Sequence, residues 1–283
     1  MKYYEAKFTI TPYSSDASDL LAALAGEAGF ETFEETETGL KGYVQQSLFS
    51  EEALREALAD FPIEGVSVAY DLREVEDRDW NEQWEQEGFE PIVIANRLVI
   101  HDGRHLPEGD FPVSIEIDAR QAFGTGTHET TRMVCGALLE TELKHRRVLD
   151  CGTGTGILSI CALKLGAKEA VGYDIDEWSV DNARHNAVIN RVDDRFQSLL
   201  GDAQILHKLD GTFDVVLANI NRNILLADLP LFREKMASGA RLVLSGFYTA
   251  DSRLLIEKAA TLGLRLLSQK EDHDWACLVF TTE

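Results

Sequence analysis

The chain has 283 residues and a formal net charge of −22, with 45% hydrophobic and 27% charged residues. That length suits two domains, and the composition is that of a soluble globular protein. The acidic balance argues against direct binding to nucleic acid, whose phosphates need basic surface, and no uninterrupted apolar stretch approaches membrane-spanning length.

Residues 2–10 read as a strand. A helix is expected over 16–29, capped by Ser15 or Asp16, because Leu20, Leu21, Leu24 and Ala28 recur at helical spacing before Gly29. Residues 30–36 and 40–47 read as a hairpin turning near Thr38-Gly39. Ser50 can cap a second helix over 51–60, with Glu51 and Glu52 favourably placed in its first turn and Phe61-Pro62 stopping it. Residues 66–75 alternate as a last strand. The order strand-helix-strand-strand-helix-strand is that of a ferredoxin-like split β-α-β unit, so residues 1–75 are expected to form a small α+β domain. Residues 1–90 carry 6 basic against 22 acidic side chains. That excess suits a basic protein partner by charge complementarity, or is simply a solvated surface.

Residues 76–90 read as a connecting helix, with Trp80 and Trp84 on one side of it. Strands are expected over 91–100 and 112–118 and a helix over 130–140. From Val148 onward strands and helices alternate: strand 147–150, helix 156–165, strand 169–174, helix 177–190, a short strand near 196–200, strand 213–218, helix 223–237, strand 240–246, helix 250–262, then a hairpin of 264–270 and 275–281. Alternation of this kind implies a doubly wound, Rossmann-like, mostly parallel sheet with helices on both faces, over residues 91–283.

The N-terminus is charged at Lys2, Glu5 and Lys7 with no apolar run behind it, unlike a signal peptide. Cys135, Cys151, Cys161 and Cys277 form no C-x-x-C pair, so neither a disulfide framework nor a zinc site is expected, and a cytoplasmic location is the natural one.

The densest chemical signal is Asp150-Cys151-Gly152-Thr153-Gly154-Thr155-Gly156, between a strand and an apolar helix. A second strand ends on Asp174. Glycines let the backbone approach a ligand, a helix N-terminus attracts a carboxylate, and the acid at the next strand end can accept ribose hydroxyls. The dinucleotide fingerprint is G-x-G-x-x-G, whereas here the pattern is G-x-G-x-G after an acid, the arrangement of methyltransferases that use S-adenosyl-L-methionine. A plain turn without ligand and an NAD site are the competing readings. Upstream, residues 122–131 read AFGTGTHETT, whose backbone N–H groups and hydroxyls can bind or close over a cofactor at a helix start. Downstream, residues 213–221 form a buried strand ending on Asn219, whose amide can orient an amine and hold the cofactor. Asp202, at another strand end, can meet an adenine amino group.

Taken together, the run Phe123 to Thr131, the Asp150–Gly156 loop, Asp174 and Ala218-Asn219-Ile220 resemble the bacterial ribosomal protein L11 methyltransferase family. The GTGTHxTT run is the most diagnostic piece. The resemblance implies that Thr131, Gly152, Asp174 and Asn219 contact S-adenosyl-L-methionine, with Phe123 and Gly154 nearby, and that the acidic N-terminal domain recognises the substrate. It also implies an enzyme that methylates lysine ε-amines and the N-terminal α-amine of ribosomal protein L11. The chain departs from the family at Asp118–Gln121 and at Ile220-Asn221-Arg222-Asn223, so no role is assigned to Asn221 or Arg222. No general base is evident, and none is required where positioning and desolvation of a neutral amine carry the reaction. The alternatives are another class I methyltransferase, with a small-molecule or different protein substrate, and a non-catalytic module that binds cofactor or partner. No metal is expected.

Overall fold

The computed structural model describes residues 3–30, 32–36, 38–46, 49–59, 61–63, 65–75, 88–119 and 124–282. The chain divides into two compact units, Met1–Glu82 and Gln83–Glu283. Of the expected connecting helix over 76–90, residues 76–87, with Trp80 and Trp84, lie outside the described residues, and 88–90 are not helical.

In the first unit β1 (Tyr3–Thr11), α1 (Ser15–Glu27), β2 (Thr32–Thr36), β3 (Gly39–Gln45), α2 (Glu51–Ala59) and β4 (Ser67–Val75) follow in order. The sheet runs β2-β3-β1-β4 with every pair antiparallel. Period-two alternation along β1 puts Ala6, Phe8 and Ile10 into a core with Leu21, Phe30 and Leu54. On the opposite face Glu5 is also buried; the Tyr43 hydroxyl donates to it at 3.1 Å and Arg73 pairs with it at 2.6 Å. The cap of α1 is Ser14, whose hydroxyl accepts from the Ala17 N–H at 3.2 Å, rather than Ser15 or Asp16. Ser50 does cap α2, accepting from the Ala53 N–H.

The second unit opens with a three-stranded sheet, β5 (Ile92–Ile94), β6 (Leu98–His101) and β7 (Val113–Glu116), in the order β5-β6-β7. The sequence expectation of one strand over 91–100 is corrected here: the chain turns back at Ala95 and Asn96, both left-handed with φ of 51° and 53°, so β5 and β6 pair antiparallel. Then come α3 (Glu129–Leu139), β8 (Arg147–Cys151), α4 (Ile157–Lys164), β9 (Glu169–Asp174), α5 (Glu177–Ile189), β10 (Phe196–Leu200), β11 (Phe213–Asn219), α6 (Arg222–Glu234), β12 (Met236–Tyr248), α7 (Ser252–Thr261), β13 (Leu264–Asp272) and β14 (Trp275–Thr282). They build a seven-stranded sheet ordered β10-β9-β8-β11-β12-β14-β13, in which only β14 runs against its neighbours.

Near-continuous apolar runs are expected of strands covered on both faces. β8, β9 and β11 follow that rule, and separate apolar cores lie on the two sides of the sheet. Strand order reverses between β8 and β11, and the crevice at the carboxyl ends of those strands is where an open α/β sheet offers a binding site. All four cysteines are free thiols and buried.

Candidate active site

At the carboxyl ends of β8, β9 and β11 lies a cavity of about 680 Å³, within the range of small-molecule sites. Its floor is the loop after β8. Gly152, Gly154 and Gly156 hold φ values of 73°, 51° and 81°, a left-handed run that residues bearing a Cβ adopt only at a cost. A Cβ on Gly152 would also collide with the Ile220 side chain, and one on Gly156 would sit 3.1 Å from Ala183 on α5. The loop is tied down from behind: the N–H groups of Gly152 and Thr153 both donate to the Tyr173 carbonyl, at 2.9 and 3.0 Å.

Asp150 lies under this loop rather than in the cavity. Fully buried, its Oδ2 accepts from the Thr153 hydroxyl (2.9 Å), the Ser159 hydroxyl (2.8 Å) and the Ser159 N–H (3.2 Å), while its Oδ1 has no hydrogen-bond partner. Burial pushes its carboxyl up to about 6, against the opposing pull of those hydrogen bonds. Its work is to fix the turn from strand to helix.

Asp174 closes β9 and lines the cavity. Its Oδ2 accepts from the Gly154 N–H at 2.9 Å and its Oδ1 from the Asp176 N–H at 3.1 Å. A carboxylate has about four lone-pair sites, so each oxygen keeps capacity for one hydroxyl donor. Asp202, cap of the short helical turn Ala203–Lys208, and Asp228 on α6 add two further carboxylates to the lining. Burial, then the nearby Asp202, raises the Asp228 carboxyl. The lining carries three carboxylates and neither lysine nor arginine among the described residues.

Asn219 closes β11 beside Thr131, which is 1% exposed. The Asn219 Nδ2 donates toward the Thr131 hydroxyl at 3.5 Å, and its Oδ1 is buried with no hydrogen-bond partner. A buried acceptor without a donor is costly and marks a place where a ligand N–H fits. The next residue, Ile220, is pressed between Gly152 and Gly246. A Cβ on Gly246 would lie 2.6 Å from the Ile220 carbonyl oxygen. Asn221 is the cap of α6, accepting from the N–H groups of Asn223 and Ile224, which accounts for that residue structurally. Arg222 pairs with Asp251 at 2.7 Å.

One wall of the cavity is aromatic, and no sequence motif announces it. His128, the cap of α3, holds the Thr130 hydroxyl and N–H on its Nδ1. Its ring meets the edge of Trp275 at 4.7 Å, and Trp275 stacks on Tyr248 at 4.4 Å. Trp275 and His128 line the cavity, and Tyr248 is half exposed beside them. Trp275 arrives from β14 and Tyr248 from β12, so no local spacing links either to the glycine loop.

Of the residues singled out in the sequence, Thr131, Gly152, Gly154, Asp174 and Asn219 all line this one cavity. Phe123 lies outside the described residues. The arrangement fits a nucleoside-bearing cation: free acceptor capacity on Asp174 for a ribose, a backbone cradle without side chains, and a negative lining. A dinucleotide, with its anionic pyrophosphate, fits that lining poorly. Among the described residues no cluster of His, Cys, Asp or Glu could hold a metal ion, and no helix is long and apolar enough to cross a membrane.

The sequence profile of the family described as Ribosomal protein L11 methyltransferase (PrmA) matches residues 14–283. The ribosomal protein L11 methyltransferase of Phocaeicola vulgatus is 45% identical over 280 residues, 99% of each chain. That of Porphyromonas gingivalis is 40% identical over 288 residues, spanning 100% of this chain and 99% of the relative. Among solved structures, the ribosomal protein L11 methylase from Lactobacillus delbrueckii subsp. bulgaricus superposes with a TM-score of 0.62 at 27% identity, covering 69% of this chain and 100% of that one.

Proposed function

The chain belongs to the ribosomal protein L11 methyltransferase family, and from that membership we propose that it transfers methyl groups from S-adenosyl-L-methionine to lysine ε-amines and the N-terminal α-amine of ribosomal protein L11. The observation that carries this reading is the cavity's charge: three carboxylates and, among the described residues, no lysine or arginine, around an unpartnered amide oxygen on Asn219. Such a lining suits a sulfonium donor and an amine acceptor, both cationic in water.

S-adenosyl-L-methionine, when bound, supplies a methyl group on a positively charged sulfur that leaves with the bonding electron pair. The residues that would hold it are Gly152 and Gly154 through the backbone, Asp174 through its free lone pairs, and Thr131 and Asn219 beside them. Asn219 Oδ1 is also suited to accept an N–H from the acceptor amine, which leaves the nitrogen lone pair free to attack. The aromatic wall of His128 and Trp275 strips water from an entering side chain. Removing water from an ammonium lowers its pKa and favours the neutral, nucleophilic form. His128 Nδ1 is occupied by Thr130, so we assign no general base. Catalysis here is positioning and desolvation.

Residues 1–75 serve in this reading as the substrate-recognition domain, 76–90 as the connecting helix and 91–283 as the transfer domain. The acidic excess of the first suits a basic protein, and such an enzyme belongs in the cytoplasm. Mass spectrometry of unmethylated ribosomal protein L11 after incubation with this protein and S-adenosyl-L-methionine tests the activity. Methyl increments on lysine residues and on the N-terminus are expected. An unchanged mass overturns the reading.

A further inference from the structure

Arg132, in the first turns of α3, does not line the cavity, yet it joins two of the segments that do. Its Nη1 donates to the Thr127 carbonyl at 2.5 Å, on the loop that carries His128. Its Nη2 donates to Asp272 Oδ2 at 3.2 Å, at the end of β13, 140 positions away in sequence. Glu129 lies 3.3 Å from the same nitrogen. Trp275 begins β14 three residues after Asp272. The intervening turn bends at His273, with φ of 53°, and its Asp274 carbonyl accepts from the Thr249 N–H at 2.7 Å, next to Tyr248. The turn is thus tied to the α3 side through Arg132 and to the end of β12 through Thr249. Between the two ties sit the Tyr248–Trp275 stack and the Trp275–His128 edge contact.

We propose that Arg132, through Asp272, is a positioning residue for the acceptor: it latches the β13–β14 turn to the loop ahead of α3 and so sets where Trp275 stands at the cavity wall. The inference rests on the methyl-transfer reading of the cavity. A guanidinium suits this task because its fork reaches acceptors on two chain segments at once, which a lysine ammonium on a single flexible stem does less well. The Arg132 and Asp272 side chains are about one-third exposed, and a pair of that kind adds little to global stability. Its effect is therefore expected on geometry at the wall, not on folding. Of the residues that would hold the donor, Gly152, Gly154, Asp174 and Asn219 share no hydrogen bond with the latch, and Thr131, next to Arg132 on α3, meets Asn219 and not Asp272, so donor affinity is expected to stay constant.

The test uses the full chain with S-adenosyl-L-methionine and unmethylated ribosomal protein L11. Arg132→Gln, Asp272→Asn, the double variant and Arg132→Lys are compared by acceptor kcat and KM, donor Kd from calorimetry, and melting temperature. Each single change is expected to lower acceptor kcat/KM by about tenfold, the scale of a sub-ångström misplacement, with donor Kd within about twofold and melting temperature unchanged. The double variant is expected to be little worse than the worse single, because both singles break the Arg132–Asp272 link, and Arg132→Lys to recover part of the loss. Additive losses, unaltered acceptor kinetics, or a parallel fall in donor affinity would overturn the latch. A wild-type protein that transfers no methyl group to ribosomal protein L11 refutes the underlying reading instead, which keeps the two failures apart.

Discussion

Gly154 and Asp174 are joined directly: the Gly154 N–H donates to Asp174 Oδ2 at 2.9 Å. The bond links the centre of the glycine loop to the acid at the end of the neighbouring strand, so the two halves of the proposed nucleoside site are fixed relative to each other by the protein alone. Preorganisation of this kind spares a ligand the entropic cost of ordering the loop.

Removing the carboxylate removes the clasp and, in the proposed reading, the ribose acceptor. Hydrogen bonds to a charged group are each worth roughly 1.5–3 kcal/mol, so Asp174→Ala is expected to weaken S-adenosyl-L-methionine binding by at least about tenfold in calorimetry. Unchanged affinity would remove Asp174 from the site.

Gly152→Val is expected to abolish donor binding while leaving a cooperative melting transition. The backbone at φ 73° costs a side-chain-bearing residue about 1–3 kcal/mol, and the new Cβ also meets Ile220. Melting temperature therefore drops by several degrees. Placing Gly152→Val in an Ile220→Ala background relieves the collision but neither the angle nor the obstruction of the cradle. If that double variant binds donor as wild type does, the loop is only a turn.

Asp150 gives a pH signature of known sign. Its folded value near 6 lies above the ordinary carboxylate value, because it is buried. Between about pH 4 and 6 the native state therefore holds a proton that the unfolded chain has already released, and stability falls as pH rises through that window. The contribution is full below about pH 4 and gone above about pH 6. Relative to Asp150→Asn, the wild-type unfolding free energy is expected to drop by on the order of 3 kcal/mol from pH 4 to pH 7. Parallel pH profiles for the two proteins in denaturant titrations would show that Asp150 titrates normally.

A fragment spanning Gln83–Glu283, the second compact unit, contains every lining residue of the cavity and is expected to bind S-adenosyl-L-methionine with the affinity of the full chain. Its rate of methylation of ribosomal protein L11 should fall steeply, because binding energy from the first unit no longer contributes to positioning. Equal rates for fragment and full chain would show that the first unit does not recognise the substrate.

The parts of the site legible in the sequence are those encoded by local spacing. Glycines after an acid, an acid ending the next strand, and an asparagine ending a buried strand each declare a strand end, and in a doubly wound sheet strand ends converge. Gly152, Asp174 and Asn219 meet in one cavity for that reason. Trp275 and Arg132 were not legible because each meets its partner, His128 and Asp272, across more than a hundred residues of chain, and Tyr248 joins them only through its stack on Trp275, with no motif of their own. The turn at Ala95 and Asn96 was missed because the run Ile92–Ile100 is apolar enough to pass for one strand. Only an asparagine, which tolerates a left-handed backbone, hinted otherwise. At α1 the sequence offers Ser14, Ser15 and Asp16 in succession, all good caps, and composition cannot choose among neighbours of equal merit.

The buried, unpaired cysteines have a practical consequence. Burial raises the thiol of Cys151 and holds Cys277 up at about 12, a hydrogen bond with Cys135 and then burial raise Cys161, and reactivity belongs to the exposed thiolate. The folded protein is thus expected to react slowly with maleimides and iodoacetamide, because all four thiols are buried. A single cysteine introduced on an exposed strand position of the first unit, such as Thr9, would then be labelled alone, with no need to strip the native four.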